Sequence, residues 1–403
     1  MTSLPKIDMQ EVTRLTRQGR LDEAMAMLRN ETPATTAPST SSGTAEAPAG
    51  STKVNLDFTG PREDKGGWSI SPNRSGASQN RTKASGMRSA GDLSSVFRGF
   101  GERFKADHLP QGLRSSPAGP EIVPGARFET HSYSAAAGTR EYKLYVPSTV
   151  DLAGPPTALI VMLHGCTQSP DDFARGTRMN EIAEQMGFLV VYPGQSKSAN
   201  MQKCWNWFEV RDQKRDAGEP SLIAGITREV MSAYPVDPSK VFVAGLSAGG
   251  AAAAIMGQRY PELYAAVGVH SGLACGAARD MGSAMSAMRG GAPVQAGERV
   301  VPTIVFHGDR DTTVSPVNGD HVLTQAKADT ASTSFATSGV SEGNMRYTRT
   351  VEREADGRER LESWRVHGAG HAWFGGSASG SYTLPTGPDA SREMVRFFLS
   401  VSS

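Results

Sequence analysis

Five continuously apolar runs, each followed directly by a turn, constrain the fold of this chain more than any other feature. They are TALIVMLHG, FLVVYPG, VFVAGLS, AVGVHSG and PTIVFHGD. Such runs are typical of strands buried on both faces of a mainly parallel sheet. Helix candidates alternate with them, at about 171–186, 220–233, 248–259 and 316–328. This alternation predicts an α/β fold, in which helices flank a mainly parallel sheet around one core.

Polar strand pairs and a closing helix flank the alternating region. RFETHSYSAAAGTREYKLYVPS predicts a hairpin around AAAG, and TRTVEREADGRERLESWRV predicts another around an Asp-Gly turn. SREMVRFFLS has the apolar spacing of an amphipathic helix. We therefore expect one folded domain over residues 120–403.

The chain before this domain has a different composition. Residues 1–30 place apolar side chains at roughly helical spacing, which predicts a short helical segment that docks on or caps the fold. Residues 31–119 are rich in Ala, Ser, Thr, Gly and Pro and have few apolar clusters. Such a segment cannot bury enough surface to order itself, so we expect a flexible linker and a largely disordered N-terminal extension.

Charge and cysteine content argue against several classes of function. The 403 residues carry a formal net charge of +1, which gives no reason to expect binding to nucleic acid or to an anionic membrane. No run approaches the ~18 apolar residues of a transmembrane segment. The N-terminus lacks a recognisable signal peptide, which predicts a cytoplasmic protein. Three cysteines are too few for a disulfide scaffold and lack the spacing of a metal site.

The third apolar run ends in GLSAG, which places Ser247 between two glycines. This is the G-x-S-x-G pattern of a sharp turn that presents a serine nucleophile above the C-terminal edge of a sheet. The pattern alone is weak, and a serine that caps the next helix is the alternative. The apolar strand before it and the small-residue helix after it favour the nucleophile. The N–H of Ala248 would then be one donor to the oxyanion.

A serine nucleophile needs a histidine base and an acid that orients the base, and in α/β-hydrolases they follow the serine in the order acid, histidine. The last buried run continues into HGDRD. Asp311 is the preferred acid because the chain has turned by this point, and Asp309 is the alternative. The later run VHGAGHAWFGG supplies His371 in a glycine-rich loop. His367 is the competing base, but it lies nearer the strand.

The loop after the first apolar run, HGCTQS, is the candidate for the second oxyanion donor. His164 and Gly165 end the strand, so the N–H of Cys166 is the natural donor, while we expect His164 to fix the loop.

Aromatic side chains and a pair of cysteines are expected beside this site. Three tryptophans in loops after strands are predicted to bind substrate, with packing of the loops as the alternative: Trp205, Trp207 and Trp373. Cys166 and Cys204 both leave adjacent strand ends, which suggests a disulfide bond between them. In a reducing cytosol both would be free thiols.

From about residue 125 onward the chain resembles the short-chain polyhydroxyalkanoate, or poly(3-hydroxybutyrate), depolymerase family of esterases, to which feruloyl and acetylxylan esterases are related. The motifs run in family order: LHGCTQSPDDFARGT, GFLVVYPGQ, CWNWF, GLSAGGAAAAIMGQRYPELYAAVGVHSG, HGDRDTTVSPVNG and GHAWFGGSASGSYTLPTGPDASREMVRFF. The resemblance implies a serine esterase of the α/β-hydrolase fold that needs no metal or organic cofactor. It carries the nucleophile onto Ser247, the acid onto Asp311, the base onto His371 and the oxyanion donors onto Cys166 and Ala248.

The resemblance also implies a substrate class. It makes residues 120–403 a catalytic domain that cleaves an ester or polyester through an acyl-enzyme, with 3-hydroxybutyrate polymer or oligomers as the expected substrate. A feruloyl or acetyl-carbohydrate esterase is the nearest alternative, and a granule-associated binding protein with a vestigial hydrolase domain is the alternative from another class. The N-terminal helix would then dock to a partner or granule surface. Because many family members are secreted, an extracellular location stays open.

Overall fold

A mixed β-sheet runs through the middle of the folded domain. The computed structural model describes residues 119–293, 301–327, 331–355 and 357–402. In these residues the strands are β1 (Arg127–Ala135), β2 (Gly138–Val146), β3 (Thr157–Leu163), β4 (Leu189–Pro193), β5 (Val236–Leu246), β6 (Ala266–His270), β7 (Thr303–Gly308), β8 (Ser332–Val340), β9 (Arg346–Glu354), β10 (Glu359–Val366), β11 (Trp373–Phe374) and β12 (Thr383–Leu384). The helices are α1 (Pro170–Thr177), α2 (Met179–Met186), α3 (Gly218–Ala233), α4 (Ala248–Arg259), α5 (Met281–Gly290), α6 (Val317–Ala326) and α7 (Ala390–Val401), with a 3₁₀ turn at Val210–Gln213. The predictions for residues 1–30 and for residues 31–118 lie outside the described residues.

The order of the strands is that of an α/β-hydrolase. The sheet runs β1-β2-β4-β3-β5-β6-β7-β10-β9-β8. The six central strands pair in parallel with their neighbours: β4, β3, β5, β6, β7 and β10. At one side β2 pairs antiparallel with β4 and with β1, and at the other β9 pairs antiparallel with β10 and with β8. The parallel strands all end at the same edge of the sheet, so the loops that follow them meet there.

Both faces of the parallel strands are buried, as the continuous apolar runs predict. Alternate residues of β3 point to opposite faces: Leu159 and Val161 belong to one core cluster, and Ile160 and Met162 belong to the other. Helices α3 to α6 cover the first face, and α1, α2 and α7 cover the second. None of the helices in the described part of the chain is long and apolar enough to span a lipid bilayer.

The structure departs from the sequence prediction at several elements. The candidate helix at 171–186 is two helices, because Arg178 adopts a left-handed conformation with φ 57° and ends α1. Helix α5 and strand β8 have no counterpart among the predicted elements. Of the two, α5 lines the same cleft as Ser247.

Candidate active site

Ser247 occupies a strained turn between β5 and α4. Its backbone has φ 58° and ψ −118°, a combination that a residue with a side chain adopts only when the surrounding structure imposes it. The Ser247 N–H donates to the carbonyl of His270 at 2.9 Å, so the turn is also fixed to the end of β6. Unlike a capping serine, its side chain makes no capping hydrogen bond to α4. Ser247 thus stands at the N-cap position of α4 without capping the helix through its side chain.

The two flanking glycines are required by close backbone contacts. A Cβ atom on Gly245 would overlap the carbonyl of Gly249, and one on Gly249 would overlap the carbonyl of Leu163 at the end of β3. Helix α4 can thus start directly against β3 only if these positions lack side chains. This packing holds Ser247 beside the loop that follows β3.

Asp311 and His371 form a buried pair at the same edge of the sheet. Asp311 follows β7 and His371 follows β10, and the His371 Nδ1 lies 2.7 Å from the Asp311 Oδ2. The other carboxylate oxygen of Asp311 accepts the N–H groups of Thr313 and Val314, both at 2.9 Å. Because Asp311 binds the Nδ1 atom, a neutral His371 carries its proton there and leaves the Nε2 atom free of a proton, as a general base requires.

The charge state of Asp311 suits this arrangement. Burial of the carboxyl opposes ionisation, but the imidazoles of His371 and His307 hold the pKa of Asp311 well below its usual range. The His307 Nε2 lies 2.9 Å from the carbonyl of Val314 and 3.4 Å from the Asp311 Oδ2. The carboxylate therefore stays ionised and can stabilise a protonated His371.

The two competing residues pair with each other instead. The Asp309 Oδ2 lies 3.0 Å from the His367 Nδ1, and the other Asp309 oxygen accepts the N–H of Gly368 at 2.7 Å. The His367 Nε2 lies 3.0 Å from the hydroxyl of Thr348 on β9. Both side chains of this second pair are more than one-third exposed. It braces the loop between β10 and His371 from the outside.

A buried histidine that the sequence prediction passed over joins the serine turn to the histidine loop. His270 is fully buried at the end of β6. Its carbonyl accepts the Ser247 N–H, and its Nε2 atom accepts the N–H of Phe374, three residues beyond His371, at 3.1 Å. Burial lowers the pKa of His270 well below its ordinary value, which keeps the ring neutral and able to accept.

The loop after β3 places Cys166 beside the serine turn. Cys166, Ser247 and Ala248 line the same cleft, so both predicted oxyanion donors are on residues next to the nucleophile candidate. A disulfide joins Cys166 to Cys204. Gln168 fixes the loop, since its side-chain oxygen accepts the N–H of Gly165 at 2.9 Å.

His164 has the structural role expected of it. Its Nε2 atom accepts the N–H of Gln195 at 3.0 Å, and its Nδ1 atom donates to the carbonyl of Gly165 at 2.8 Å. Burial lowers the pKa of His164 to about 4, so the ring remains neutral near pH 7. A protonated ring would lose the bond from Gln195.

A buried carboxylate that no sequence pattern revealed supports the same loops. Glu219, on α3, accepts the backbone N–H and the side-chain amide of Asn206, each at 2.7 Å, and the side-chain amide of Gln195. Burial, together with the nearby charge of Asp212, raises the pKa of Glu219 to about 7. Since Gln195 also donates to the carbonyl of Cys204 at 2.9 Å, Glu219 is connected to the loop that carries Cys204.

Only one of the three predicted substrate-binding tryptophans lines the cleft. Trp207 does so. Trp205 is fully buried and donates through its Nε1 atom to the carbonyl of His164 at 3.1 Å. Trp373 is also buried, donating to the hydroxyl of Ser391 at 3.0 Å and packing on the ring of His270. The prediction that Trp205 and Trp373 bind substrate is therefore wrong, because both rings pack inside the fold.

The cleft at Ser247 is narrow and apolar, with a volume of about 40 Å³. Among the residues that the structure describes, its lining consists of Cys166, Cys204, Trp207, Phe208, Ser247, Ala248, Leu273, Met281, Ala284, Met285, Met288 and Val314. Apart from Ser247, these side chains offer a ligand an apolar surface. Four of them, Met281, Ala284, Met285 and Met288, belong to α5, which has no counterpart among the predicted elements.

Comparison with known proteins identifies the family of this chain. The model of a family described as "Esterase PHB depolymerase" matches residues 140–346, about half of the chain. The chain belongs to this family. The matched residues include the serine turn and Asp311, whereas His371 lies beyond their end.

Individual relatives carry esterase or depolymerase names. Poly(3-hydroxyalkanoate) depolymerase C of Paucimonas lemoignei is 29% identical over 263 residues, which are 60% of this chain and 61% of the relative. Feruloyl esterase B of Neurospora crassa is 37% identical over 131 residues, 32% of this chain and 43% of the relative. A probable acetylxylan esterase A of Neosartorya fischeri is 36% identical over 151 residues, 36% of this chain and 38% of the relative. The chain thus spans between 38 and 61% of the length of these curated relatives.

Among solved structures, the acetyl xylan esterase from Aspergillus awamori is similar to this chain with a TM-score of 0.49 and 22% identity. The match covers 61% of this chain and 93% of that one.

Proposed function

We propose that this chain is a serine carboxylic-ester hydrolase that acts on short-chain polyhydroxyalkanoate, either the polymer of 3-hydroxybutyrate or its oligomers. The observation that carries the proposal is the buried Asp311–His371 hydrogen bond at the sheet edge where the strained Ser247 turn also lies. A nucleophile turn, an oriented imidazole and an ionised acid, in this chain order, are the parts that acyl transfer needs.

The proposed reaction has two stages. His371 accepts the proton of Ser247 while the serine Oγ attacks the ester carbonyl, and Asp311 stabilises the imidazolium. The N–H groups of Cys166 and Ala248 donate to the negative oxygen of the tetrahedral intermediate. His371 then protonates the leaving alcohol, which leaves an acyl group bonded to Ser247. In the second stage His371 activates a water molecule, which attacks the acyl-enzyme and releases the acid.

The lining of the cleft supports a polyester over a sugar ester. A poly(3-hydroxybutyrate) segment presents methyl and methylene groups between its esters and has no hydroxyl donors along the chain, so an apolar lining leaves few of its groups without hydrogen-bond partners. A carbohydrate ester brings hydroxyl groups that need polar partners. A feruloyl or acetyl-carbohydrate esterase remains the second candidate function, because relatives with those names match this chain at 36 to 37% identity.

The test is product analysis on an ester panel. Wild type and Ser247→Ala are incubated with 3-hydroxybutyrate oligomers, native polyester granules, feruloyl esters and acetylated xylo-oligosaccharides. We expect wild type to cleave the 3-hydroxybutyrate esters best, and Ser247→Ala to be slower by several orders of magnitude. If wild type released acetate or ferulate faster than 3-hydroxybutyrate, the chain would be a feruloyl or acetyl-carbohydrate esterase, the second candidate function. Near-full activity of Ser247→Ala would contradict the proposed mechanism.

A further inference from the structure

Helix α5 forms one wall of the cleft with three methionines. Met281, Met285 and Met288 lie at i, i+4 and i+7, a spacing that puts them on one face of the helix, and all three line the cleft with Ser247. Each side chain is partly exposed. We call these three residues the methionine wall.

The backbone that carries this wall is held in place. Asp280 and Ser283 form a capping box at the start of α5. At its other end, the Asn318 side chain donates to the carbonyl of Ala287 at 2.9 Å, and the N–H of Ser315 donates to the carbonyl of Met288 at 2.7 Å. Ser315 lies four residues after Asp311, so α5 is attached to the segment that follows the Asp311 loop.

The backbone of α5 is fixed, whereas the thioether side chains of the methionine wall are flexible. The wall can therefore adapt its shape to a ligand, but it cannot move away from Ser247 as a whole. Methionine has three rotatable side-chain bonds and fills irregular apolar space. The cleft beside Ser247 is small and apolar, which suits a short acyl chain. A longer acyl chain fits only when the methionine side chains move out of its path.

We propose that the methionine wall determines which acyl groups the enzyme accepts, by contacting the acyl chain that stays bonded to Ser247 and limiting its length. This inference rests on the proposed ester hydrolysis. In the acyl-enzyme the alcohol has left, so the acyl chain is the part of the substrate that must occupy the space next to Ser247. The wall faces that space, and Met285 is its middle residue.

Met285 is the residue to change. Met281 and Met288 also pack against the larger core cluster, so substitutions there would alter stability as well as the cleft. Met285→Ala removes most of the middle of the wall, and Met285→Phe fills it. Met186→Ala is the control, because Met186 is a helical methionine on α2 whose side chain is exposed and does not line the cleft.

The measurement is kcat/KM for p-nitrophenyl acetate, butyrate, hexanoate and octanoate with each full-length variant. One methylene in an apolar pocket changes kcat/KM by about 10-fold or more. We therefore expect the octanoate-to-butyrate ratio to rise about tenfold in Met285→Ala, to fall in Met285→Phe and to stay within twofold of wild type in Met186→Ala. This ratio does not depend on the fraction of protein that folds.

Two results would overturn the inference, and they are distinguishable. If wild type hydrolyses the esters but the ratio is the same in wild type, Met285→Ala and Met285→Phe, the wall does not select acyl groups and the proposed function stands. If wild type hydrolyses none of the esters, the proposed function fails and the inference fails with it.

Discussion

At the scale of single residues, burial separates two Asp–His pairs that look alike in the sequence. Asp311–His371 is enclosed, and each oxygen of its carboxylate has a partner. Asp309–His367 is exposed and joins two loops. A buried ionised carboxylate can orient and stabilise an imidazolium with little competition from water, which an exposed one cannot do as well.

This difference predicts the effect of removing each charge. Asp311→Asn should lower kcat for p-nitrophenyl butyrate by about 10⁴-fold, because an amide no longer holds His371 in the productive tautomer. Asp309→Asn, the matched control, should change kcat by less than about threefold. Steady-state kinetics on both variants decides between the pairs. A larger loss of kcat in Asp309→Asn than in Asp311→Asn would show that Asp309–His367 is the catalytic pair.

Individual side chains also mark the limit of what the sequence could predict. The serine turn, Asp311 and His371 were identifiable because each directly follows a strand of a parallel sheet, and strand ends meet at one edge. Trp205 and Trp373 follow strands too, yet their rings turn inward to hydrogen-bond partners on other segments, the carbonyl of His164 and the hydroxyl of Ser391. Such partners are distant in sequence, so no local pattern reveals the direction of the ring.

At the scale of elements, the loops after β3 and β4 are held by two buried titratable groups with opposite requirements. His164 must be neutral to accept the N–H of Gln195. Glu219 accepts three hydrogen bonds, yet burial favours its protonated form. The two groups are connected through Gln195, which donates to both of them.

These groups predict pH dependences of opposite sign. The pKa of His164 is about 4 in the folded state, against 6.5 ordinarily, so only the unfolded chain binds the proton between these values and stability falls as pH falls from 6.5 to 4. The pKa of Glu219 is about 7, against 4.5 ordinarily, so only the folded chain binds the proton and stability falls as pH rises from 4.5 to 7. Between pH 4.5 and 6.5 the two effects oppose each other.

Single variants should separate the two effects. We expect the difference in unfolding free energy between wild type and His164→Gln to grow with pH, by up to about 1.4 kcal/mol per pH unit, from pH 4.5 to 6.5. The difference in unfolding free energy between wild type and Glu219→Gln should decrease as pH rises from 4.5 to 6.5. Urea unfolding at pH 4.5, 5.5 and 6.5 measures both. Differences that do not change with pH would show that neither group titrates as its burial implies.

Elements differ in how far the sequence predicts them. The five buried strands were predictable because they are apolar on both faces. Strand β8 was not, because its residues are almost all exposed and carry no alternation of apolar and polar side chains. Helix α5 could have been suspected from the spacing of Met281, Met285 and Met288, but its place beside Ser247 depends on hydrogen bonds to the distant residues Ser315 and Asn318.

At the scale of the whole molecule, the sheet assembles the site from distant parts of the chain. The loops after β3, β5, β7 and β10 supply Cys166, Ser247, Asp311 and His371, which are spread over some two hundred residues. Two core clusters, one on each face of the sheet, fix the strands that precede these loops. We propose that residues 120–403 are the catalytic domain, since these elements all lie within it.

The central claim is that Ser247 is a nucleophile activated by His371. The most direct measurement is labelling with a fluorophosphonate, followed by intact mass and peptide mass spectrometry. We expect one probe adduct per chain, located on the peptide that contains Ser247. Ser247→Ala should acquire no adduct, and His371→Ala should be labelled at least 10²-fold more slowly, because it lacks the general base. An unlabelled wild-type chain, or an adduct on another residue, would contradict the claim.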